Sequence, residues 1–356
     1  MLSLALLLLL PLAQVQPIVK EFSTHWHPAD TIRTGLDRLV EVVICPSQDT
    51  QGGHLLAVDS SGKIAELRYA DRKWTVERVF PVGEAVTCAT TGAPRPDGVW
   101  TLYVGTKSGR VIEVSRGPVG WTKREIIAVS PPIRNLAATE PDRPGPSQLF
   151  VIDGKALVTN LRVATAGSWY STTLPPTEGG AGKICFDYRR TGLVAVTAGP
   201  KGVIYKFLQD SVGQWSGGPW ATLSGPVMDM AASADPTARD IVVFYSGQDG
   251  IFRYLFYGRM EDEKSRLPIA NGTVHLIGKG DQRRFNEFFA MSGREFCMFE
   301  YSTKAEDWVK ESIASLPGTV VSTTFGPGRG SNYHQMYAAM LDGTVYEIVR
   351  EGLEEE

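Results

Sequence analysis

The sequence repeats with a period of about 47 residues, and this repeat restricts the chain to folds built from similar units. Each copy contains two runs of β-branched or aromatic residues around a glycine turn, as in LLAVDSSGKIAEL, and this pattern predicts a β-hairpin. The turn glycines are Gly62, Gly109, Gly154, Gly202, Gly250, Gly293 and Gly343. Their successive spacings are 47, 45, 48, 48, 43 and 50 residues, so seven hairpins of one kind follow one another along the chain.

A tryptophan keeps the same period and marks the run that follows each hairpin. These tryptophans are Trp74, Trp121, Trp169, Trp215 and Trp308, separated by 47, 48, 46 and 93 residues, the last of which is two periods. A turn containing proline or glycine follows each of them, and a short apolar run then opens the next unit. Each unit is therefore predicted to hold four strands: an inner strand, a hairpin of two, and an outer strand that starts at tryptophan.

Units of four short strands with glycine-rich turns are typical of propeller blades, and the chain resembles the seven-bladed β-propeller class. The resemblance implies an all-β fold with four antiparallel strands per blade and one domain over residues 17–356. It extends to architecture only. The Gly-His and Trp-Asp pairs of WD-repeat proteins are absent, as are the blade signatures of kelch proteins, sialidases, integrin-like propellers and quinoprotein dehydrogenases. The function must therefore be argued from the site.

The segment HWHPADTI is predicted to close the ring. Trp26 lies 48 residues before Trp74, and the seventh hairpin, at Gly343, has too little chain after it for an outer strand of its own. A strand at about residues 22–32 should supply that strand and complete the last blade. Pro28 fits this position, because proline is tolerated at the edge of a sheet.

Two histidines in this segment raise the question of a metal site. His25 and His27 are two residues apart, so on a strand they would share a face. Two ligands without a nearby third do not make a good site, and the four cysteines form no CxxC pair. We therefore expect a closing strand here, with no bound metal and no cofactor.

The N-terminus and the charge limit the compartment and the partners. Residues 1–16 carry an apolar run of about ten residues, which predicts a signal peptide and a secreted or periplasmic protein. No other run is long enough to span a membrane. The net charge is −3 without a basic stripe, so nucleic acid is not an expected partner. The four cysteines lie in apolar strand-like runs, which favours buried thiols. They are Cys45, Cys88, Cys185 and Cys297. In an exported chain a disulfide between two of them is the alternative.

Polar residues near the start of the inner strands are the candidate ligand-binding residues. The first and third positions after each interblade turn point the same way on a strand and could converge at one mouth of the central channel. The candidates are Arg38, Glu84, Asn135, Lys183, Asp229 and His275. Polar side chains in a wet channel also commonly satisfy one another and trapped water, so a structural role stays open.

Three functions follow from this pattern. The first is a monomeric, non-enzymatic module that binds a small molecule, a glycan or a protein over the channel mouth. The second is a carbohydrate-active lyase or hydrolase that uses Asp229, His275 and Arg38, since such chemistry needs an acid–base pair or a base with a neutralising arginine. The third is a structural ring in a larger cell-surface assembly. Convergence of the three residues on an open pocket would favour the enzyme, whereas pairing with other groups would favour binding.

Overall fold

The computed structural model describes most of the repeat region. The described residues are 20–21, 26–45, 53–92, 101–117, 120–139, 148–163, 168–189, 192–223, 225–234, 241–247, 251–255, 267–268, 274–279, 287–292, 294–302, 307–326 and 335–350. The predicted signal peptide at residues 1–16 lies outside them. Within these ranges there is no helix long and apolar enough to cross a bilayer.

The described residues form twenty-nine strands, numbered β1 to β29 along the chain. The first strands of the repeat units are β3 (Leu39–Cys45), β7 (Val86–Gly92), β11 (Asn135–Ala138), β15 (Lys183–Arg189), β19 (Val227–Ala234), β23 (Val274–Lys279) and β27 (Val320–Phe325). The second strands are β4 (Gly53–Asp59), β8 (Thr101–Thr106), β12 (Gln148–Ile152), β16 (Gly192–Ala198), β20 (Ile241–Gly247), β24 (Glu287–Ser292) and β28 (Gln335–Met340).

The hairpin partners and the outer strands complete the units. The third strands are β5 (Lys63–Ala70), β9 (Arg110–Gly117), β13 (Val158–Val163), β17 (Val203–Gln209), β21 (Ile251–Leu255), β25 (Glu295–Ser302) and β29 (Thr344–Arg350). The fourth strands are β6 (Lys73–Pro81), β10 (Gly120–Ala128), β14 (Trp169–Thr173), β18 (Trp215–Thr222), β22 (Leu267–Pro268), β26 (Asp307–Ser315) and β2 (Trp26–Arg33). A short strand, β1 (Lys20–Glu21), precedes β2.

These strands pair antiparallel, in chain order within each unit. They form six four-stranded sheets and one five-stranded sheet, in which β1 adds to the edge of β26. The first strands of consecutive units lie next to one another, from β3 through to β27. The prediction of an all-β propeller with four-stranded antiparallel blades is confirmed. The fifth strand was not predicted; the open edge of an outer strand offers unpaired backbone groups to which it can pair.

The segment around Trp26 pairs with the last strand of the chain. In β2, Trp26 is opposite Arg350 and Arg33 is opposite Thr344, with a bulge between Pro28 and Asp30. The Trp26 side chain is almost fully buried, and its ring meets that of Phe289 edge-on. His25 lies outside the described residues.

The core consists of apolar side chains between neighbouring sheets, because one four-stranded sheet cannot cover both of its own faces. The second strands show this most clearly: every residue of β8, β12 and β28 is buried. The fourth strands β6 and β10 are mostly exposed. Their position at the outer edge of a sheet explains their polar sequences.

Four of the periodic tryptophans join neighbouring sheets through hydrogen bonds. Each indole nitrogen, Nε1, donates to a buried side chain on a third strand, which belongs to the preceding sheet for Trp121, Trp169 and Trp215 and to the last sheet for Trp74. The pairs are Trp74 with Glu347 (3.0 Å), Trp121 with Glu66 (2.8 Å), Trp169 with Glu113 (3.0 Å) and Trp215 with Asn160 (3.4 Å). The acceptors are all less than 3% exposed, so each bond satisfies a polar group that would otherwise be buried without a partner.

The hairpin glycines are required by close approach of the backbone. Gly62 and Gly343 have φ angles of +90° and +89°, a region that residues with a side chain rarely adopt. A Cβ atom at Gly62 would also overlap the carbonyl oxygen of Glu84, in the loop that leads to the next sheet. The Gly62 carbonyl accepts a hydrogen bond from the Val82 N–H in the same loop (2.6 Å). Hairpin turns and interblade loops therefore lie together on one face.

Candidate functional site

Five of the first strands contain a β-bulge, which in four of them lies near the start of the strand and decides which side chains meet between them. The pairing shifts by one residue between Leu39 and Glu41, between Val86 and Cys88, between Val227 and Asp229, between Leu276 and Gly278, and between Val320 and Ser322. A bulge leaves one residue unpaired and changes the direction of those that follow. Glu41, Cys88, Asp229 and Ser322 thus occupy equivalent places, and with Lys183 they form what we call the inner-strand cluster.

Lys183 and Asp229 are the two predicted residues that the structure brings together. Lys183 Nζ lies 3.4 Å from Asp229 Oδ1, and both side chains are partly exposed. They come from the first strands of adjacent sheets, β15 and β19. The ion pair therefore links two neighbouring units near the beginning of their inner strands.

Glu41 is the buried acid of the inner-strand cluster. Burial raises the pKa of its carboxyl well above the usual value, and the negative charge of Asp229 adds to this effect. A hydrogen bond from the Val42 N–H and the positive charge of Lys183 oppose the shift without cancelling it. The Ser322 hydroxyl hydrogen-bonds to Glu41 Oε1. A carboxyl in this environment favours its protonated form.

The thiols of Cys88, within this cluster, and of Cys185, beside it, are poor nucleophiles. Burial raises the pKa of the Cys88 thiol to about 12 and also raises the pKa of Cys185 well above its usual value. Because the thiolate is the reactive form, both groups are inert near neutral pH. Cys88, Cys185 and Cys297 are free thiols; Cys185 and Cys297 are buried, as the sequence predicted, whereas Cys88 is partly exposed, and the Cys45 side chain lies outside the described part of the chain.

The other predicted residues are dispersed. Arg38 precedes β3 and is exposed, and it forms no ion pair with another described residue. Glu84 precedes β7 and pairs with Arg110 of the next hairpin (2.6 Å between Oε1 and Nη2). Asn135 opens β11, where it is half-buried and pairs with Ile152. His275 lies in β23, but its side chain is not among the described ones.

Glu41 was missed because the sequence alignment was anchored on the interblade turns. That alignment put Arg38 in the third position of the first inner strand. The repeat itself contains the correct signal, since Glu41 lies 47 residues before Cys88, which lies 47 residues before Asn135. The interblade turns differ in length, with five residues before β3, four before β7 and six before β11, so counting from the turn gave the wrong residue.

A second group of ionisable residues lies on the first and second repeat units. One donor atom each from His54, Glu66 and Glu77 lies within 4.8 Å of the others, a spacing that a metal ion could bridge. Two arginines already neutralise the carboxylates: Arg116 Nη1 is 3.4 Å from Glu66 Oε1, and Arg68 Nη1 is 3.8 Å from Glu77 Oε1. A cation would have to displace both guanidinium groups, so the donor set fits an internal charge network better than a metal centre.

Burial alone would raise the pKa of Glu66, but hydrogen bonding outweighs it. The hydrogen bonds from His54 and Trp121 and the charge of Arg116 lower the pKa below its usual value. Glu66 is therefore held as a carboxylate. This explains why a buried acid can serve as the acceptor for Trp121.

The face formed by the hairpin turns and the interblade loops is the second candidate surface, and we call it the turn face. Over the first four repeat units it comprises residues 36–38, 59–63, 82–85, 106–110, 129–134, 153–157, 174–183 and 199–203. Backbone hydrogen bonds join turn to loop around it: Ser60 N–H to Arg38 (2.9 Å), Lys107 N–H to Ala85 (2.9 Å), and Ala181 N–H to Ala156 (2.9 Å). The surface is thus held rigidly although it consists mainly of turns, loops and the ends of strands.

The comparisons with known proteins extend only to the fold. No family model matches the chain, and no curated protein matches it either. It is similar to a crystal structure of BBS1N in complex with ARL6DN, soaked with lead, with a TM-score of 0.69, 12% identity, and coverage of 93% of this chain and 98% of that one.

Two further solved structures have the same overall shape. The RRP9 WD40 repeats have a TM-score of 0.64 at 13% identity, covering 94% of this chain and all of that chain. The structure of U3-55K has a TM-score of 0.63 at 13% identity, covering 93% of this chain and all of that chain. At this level of identity the similarity shows a propeller fold like that of WD40 proteins, although the WD-repeat signature is absent from the sequence.

Proposed function

We propose that the chain is a non-enzymatic β-propeller that binds a protein partner on its turn face. The turn face carries this proposal: its backbone is held by hydrogen bonds between consecutive units, while its side chains, such as Lys107 and Leu157, are exposed. A rigid surface of this kind binds without a large loss of conformational entropy. Arg38, Lys183 and Asp229 lie at its inner rim and contribute to binding in this proposal.

The state of the inner-strand cluster supports binding over catalysis. Asp229 is paired with Lys183, Arg38 lies outside the inner strands, and the nearby thiols have raised pKa values. The arrangement that a lyase or hydrolase would need, with an acid–base pair beside a free arginine, is therefore not assembled among the described residues. Within the inner-strand cluster, Glu41 is suited by its raised pKa to act as a general acid.

We further propose that the seven sheets form one closed ring of seven blades. Three observations support closure. β27 lies next to β3, so the first strands of the last and first units are neighbours. β2 pairs with β29, which joins the two ends of the chain in one sheet. Trp74 donates to Glu347, and this bond links the first unit to the last as the other tryptophan bonds link their neighbours.

Export belongs to the proposal as well, on the apolar run in residues 1–16. Expression of the full chain with a C-terminal tag tests it. Mass spectrometry of the tagged protein should show a new N-terminus near residue 17, recovered from the periplasm or the medium. An intact Met1 on all of the recovered protein would contradict export.

Photo-crosslinking tests the protein-binding function. A photoreactive residue replaces Leu157, which is 43% exposed on the turn face, or Val212, which is 74% exposed between β17 and β18 on the opposite face. We expect a discrete protein adduct from position 157 and none from position 212. The captured protein, purified, should then bind the wild-type chain at a fixed ratio in calorimetry. Adducts from both positions alike, or from neither, would refute the proposal.

Turnover assays test the alternative, a carbohydrate-active enzyme. Acidic and neutral glycans are incubated with the wild-type chain and with the Asp229→Asn and Glu41→Gln variants. Product formation that these variants abolish would replace the binding function with catalysis. The absence of turnover, together with a protein adduct at position 157, would support the binding module.

A further inference from the structure

The turn face carries a row of basic residues that the linear sequence conceals. Each of the first four hairpin turns contributes at least one exposed basic side chain, and the loops beside them contribute others. These residues, which we call the basic arc, are Arg38, Lys63, Lys107, Arg110, Arg134, Lys155 and Lys201. The hairpin lysines 63, 107, 155 and 201 are separated by 44, 48 and 46 residues, so only the repeat brings them to one face.

Most of the arc has no internal counter-charge. Arg110 pairs with Glu84 (2.6 Å) and Lys201 pairs with Glu178 (3.3 Å). Arg38, Lys63, Lys107, Arg134 and Lys155 form no ion pair with another residue of the described ranges; Arg134 donates instead to the Gly154 carbonyl (2.6 Å). Elsewhere on the molecule, Arg68, Arg116 and Arg124 each pair with a glutamate.

The carboxylates that lie in these turns are engaged by the backbone and do not neutralise the arc. Asp59 Oδ1 accepts hydrogen bonds from the N–H groups of Ser61 and Lys63, and Asp153 Oδ1 accepts them from Lys155 and Leu157. Both aspartates are buried, whereas the lysine side chains of the same turns are exposed. The hairpin turns therefore present positive charge outward and keep their negative charge inside, and one exposed acid, Asp37, lies beside Arg38 in the loop before β3.

The hairpin turns of the later units differ in charge. The turn of the sixth unit carries the exposed Arg294, whereas the turn of the last unit carries the exposed Asp342. Exposed apolar side chains lie within this face too: Leu157 beside Lys155, and Leu341 beside Asp342. A face with clustered basic residues, an exposed aspartate and isolated leucines resembles a protein interface more than a continuous track for phosphates.

We propose that the basic arc docks an acidic segment of a protein partner. This inference rests on the proposed protein-binding function and specifies its partner: a segment rich in aspartate and glutamate lies across the first four hairpin turns, with an apolar residue against Leu157. Charge complementarity of this kind sets the specificity and the association rate of a complex. The chain as a whole is acidic, so the attraction depends on this face rather than on net charge.

Binding of a labelled polyglutamate peptide to the full-length protein tests the inference. Fluorescence anisotropy is measured over a series of salt concentrations, with a polyglutamine peptide of equal length as the uncharged control. We expect binding of polyglutamate that weakens steadily with salt, and no binding of polyglutamine. Equal binding of both peptides, or of neither, would overturn the inference.

Two triple variants of equal charge locate the site. Lys63→Glu, Lys107→Glu and Lys155→Glu reverse three unpaired positions of the arc. Arg72→Glu, Lys73→Glu and Arg78→Glu reverse three exposed residues of the β5–β6 turn and β6, away from the turn face. We expect the first triple to weaken polyglutamate binding at least about tenfold and the second to change it less than about twofold. Equal weakening by both would show attraction to net charge only and would refute the arc.

Two further arms separate this inference from its alternatives. A single-stranded oligonucleotide that carries the same charge as the peptide should bind more weakly at matched salt; tighter binding would make nucleic acid the partner and reject an acidic protein. Photo-crosslinking at position 157 is repeated in the arc triple. Loss of the adduct supports the inference, whereas an undiminished adduct would refute the acidic partner and leave the protein-binding function standing.

Discussion

The hydrogen bond from Trp121 to Glu66 offers the sharpest test of how neighbouring sheets are held together. Glu66 is 2% exposed, and Trp121 Nε1 lies 2.8 Å from its Oε2. Replacement of Trp121 by Phe keeps an aromatic ring against Phe80, with which the indole is stacked at 5.1 Å, but removes the donor. The carboxylate oxygen is then buried with one hydrogen bond fewer.

The chain contains its own control for the loss of ring volume. Trp215 makes the equivalent bond to the neutral amide oxygen of Asn160, at 3.4 Å. A hydrogen bond to a charged group contributes about 2 kcal/mol and a neutral one about 1 kcal/mol. Because both Trp→Phe variants lose the same atoms, we expect Trp121→Phe to reduce the free energy of unfolding by about 1 kcal/mol more than Trp215→Phe.

Urea denaturation followed by circular dichroism measures both variants, and the pH dependence identifies the group. The folded-state pKa of Glu66 is lowered, so its contribution is present above the unfolded value of about 4.3 and is lost as the pH falls through the folded pKa. The difference between the two variants should therefore shrink in acid. Equal losses at pH 7, or a difference that grows as the pH falls, would refute the argument.

Three more perturbations test the turn, the inner-strand acid and the N-terminal strand. Gly62→Ala should reduce the free energy of unfolding by several kcal/mol, because it adds overlap with a backbone carbonyl to the cost of a positive φ. Gly35→Ala, at φ +72° with no atom in the way, should reduce it by about 1 kcal/mol. Urea denaturation compares the two variants, and equal losses would contradict the overlap. Glu41→Gln should raise the melting temperature at neutral pH. The folded-state pKa of Glu41 is raised, so the wild-type chain loses stability as the pH rises through it, and the glutamine avoids this loss. The gain of the variant should vanish below about pH 4, and a gain that persists there would contradict the shift. Deletion of residues 17–35 should lower the melting temperature of the whole domain, since it removes β2 with the buried Trp26; a truncated protein that melts like the full chain would contradict the role of β2.

The sequence was sufficient to predict the blades because each blade depends on local signals that recur. A hairpin needs a glycine where the backbone approaches the next loop, and Gly62, Gly109, Gly202 and Gly343 all have the positive φ that this geometry demands. Most outer strands begin with a tryptophan, and Trp121, Trp169 and Trp215 reach the preceding sheet. Both features depend on single residues, so they appear directly in the sequence with the period of the fold.

The candidate site was harder to predict because β-bulges change the alternation of side chains. In β3 the bulge leaves Val40 unpaired, one position before Glu41. A strict count of alternating side chains does not allow for this extra residue. Alternation alone cannot show that Glu41 joins the equivalents of Cys88 and Asp229. A bulge has no sequence signature of its own. It can be recognised only from the way in which the first strand pairs with the second strand.

The charge of the turn face lies between these two cases. No run of basic residues is present, so a search along the chain finds nothing, yet a comparison of equivalent positions places a cation in each of the first four turns. A repeat fold converts a spacing of about 47 residues into adjacency on one surface, while the intervening residues go to the other strands. Charge at such positions can vary between units without loss of the turn. The turn is held by hydrogen bonds between its aspartate and its backbone, and the side chains of Lys63 and Lys155 are not needed for these bonds. Basic residues in four consecutive units, where the fold does not require them, are therefore the feature of this chain that points most directly to a partner.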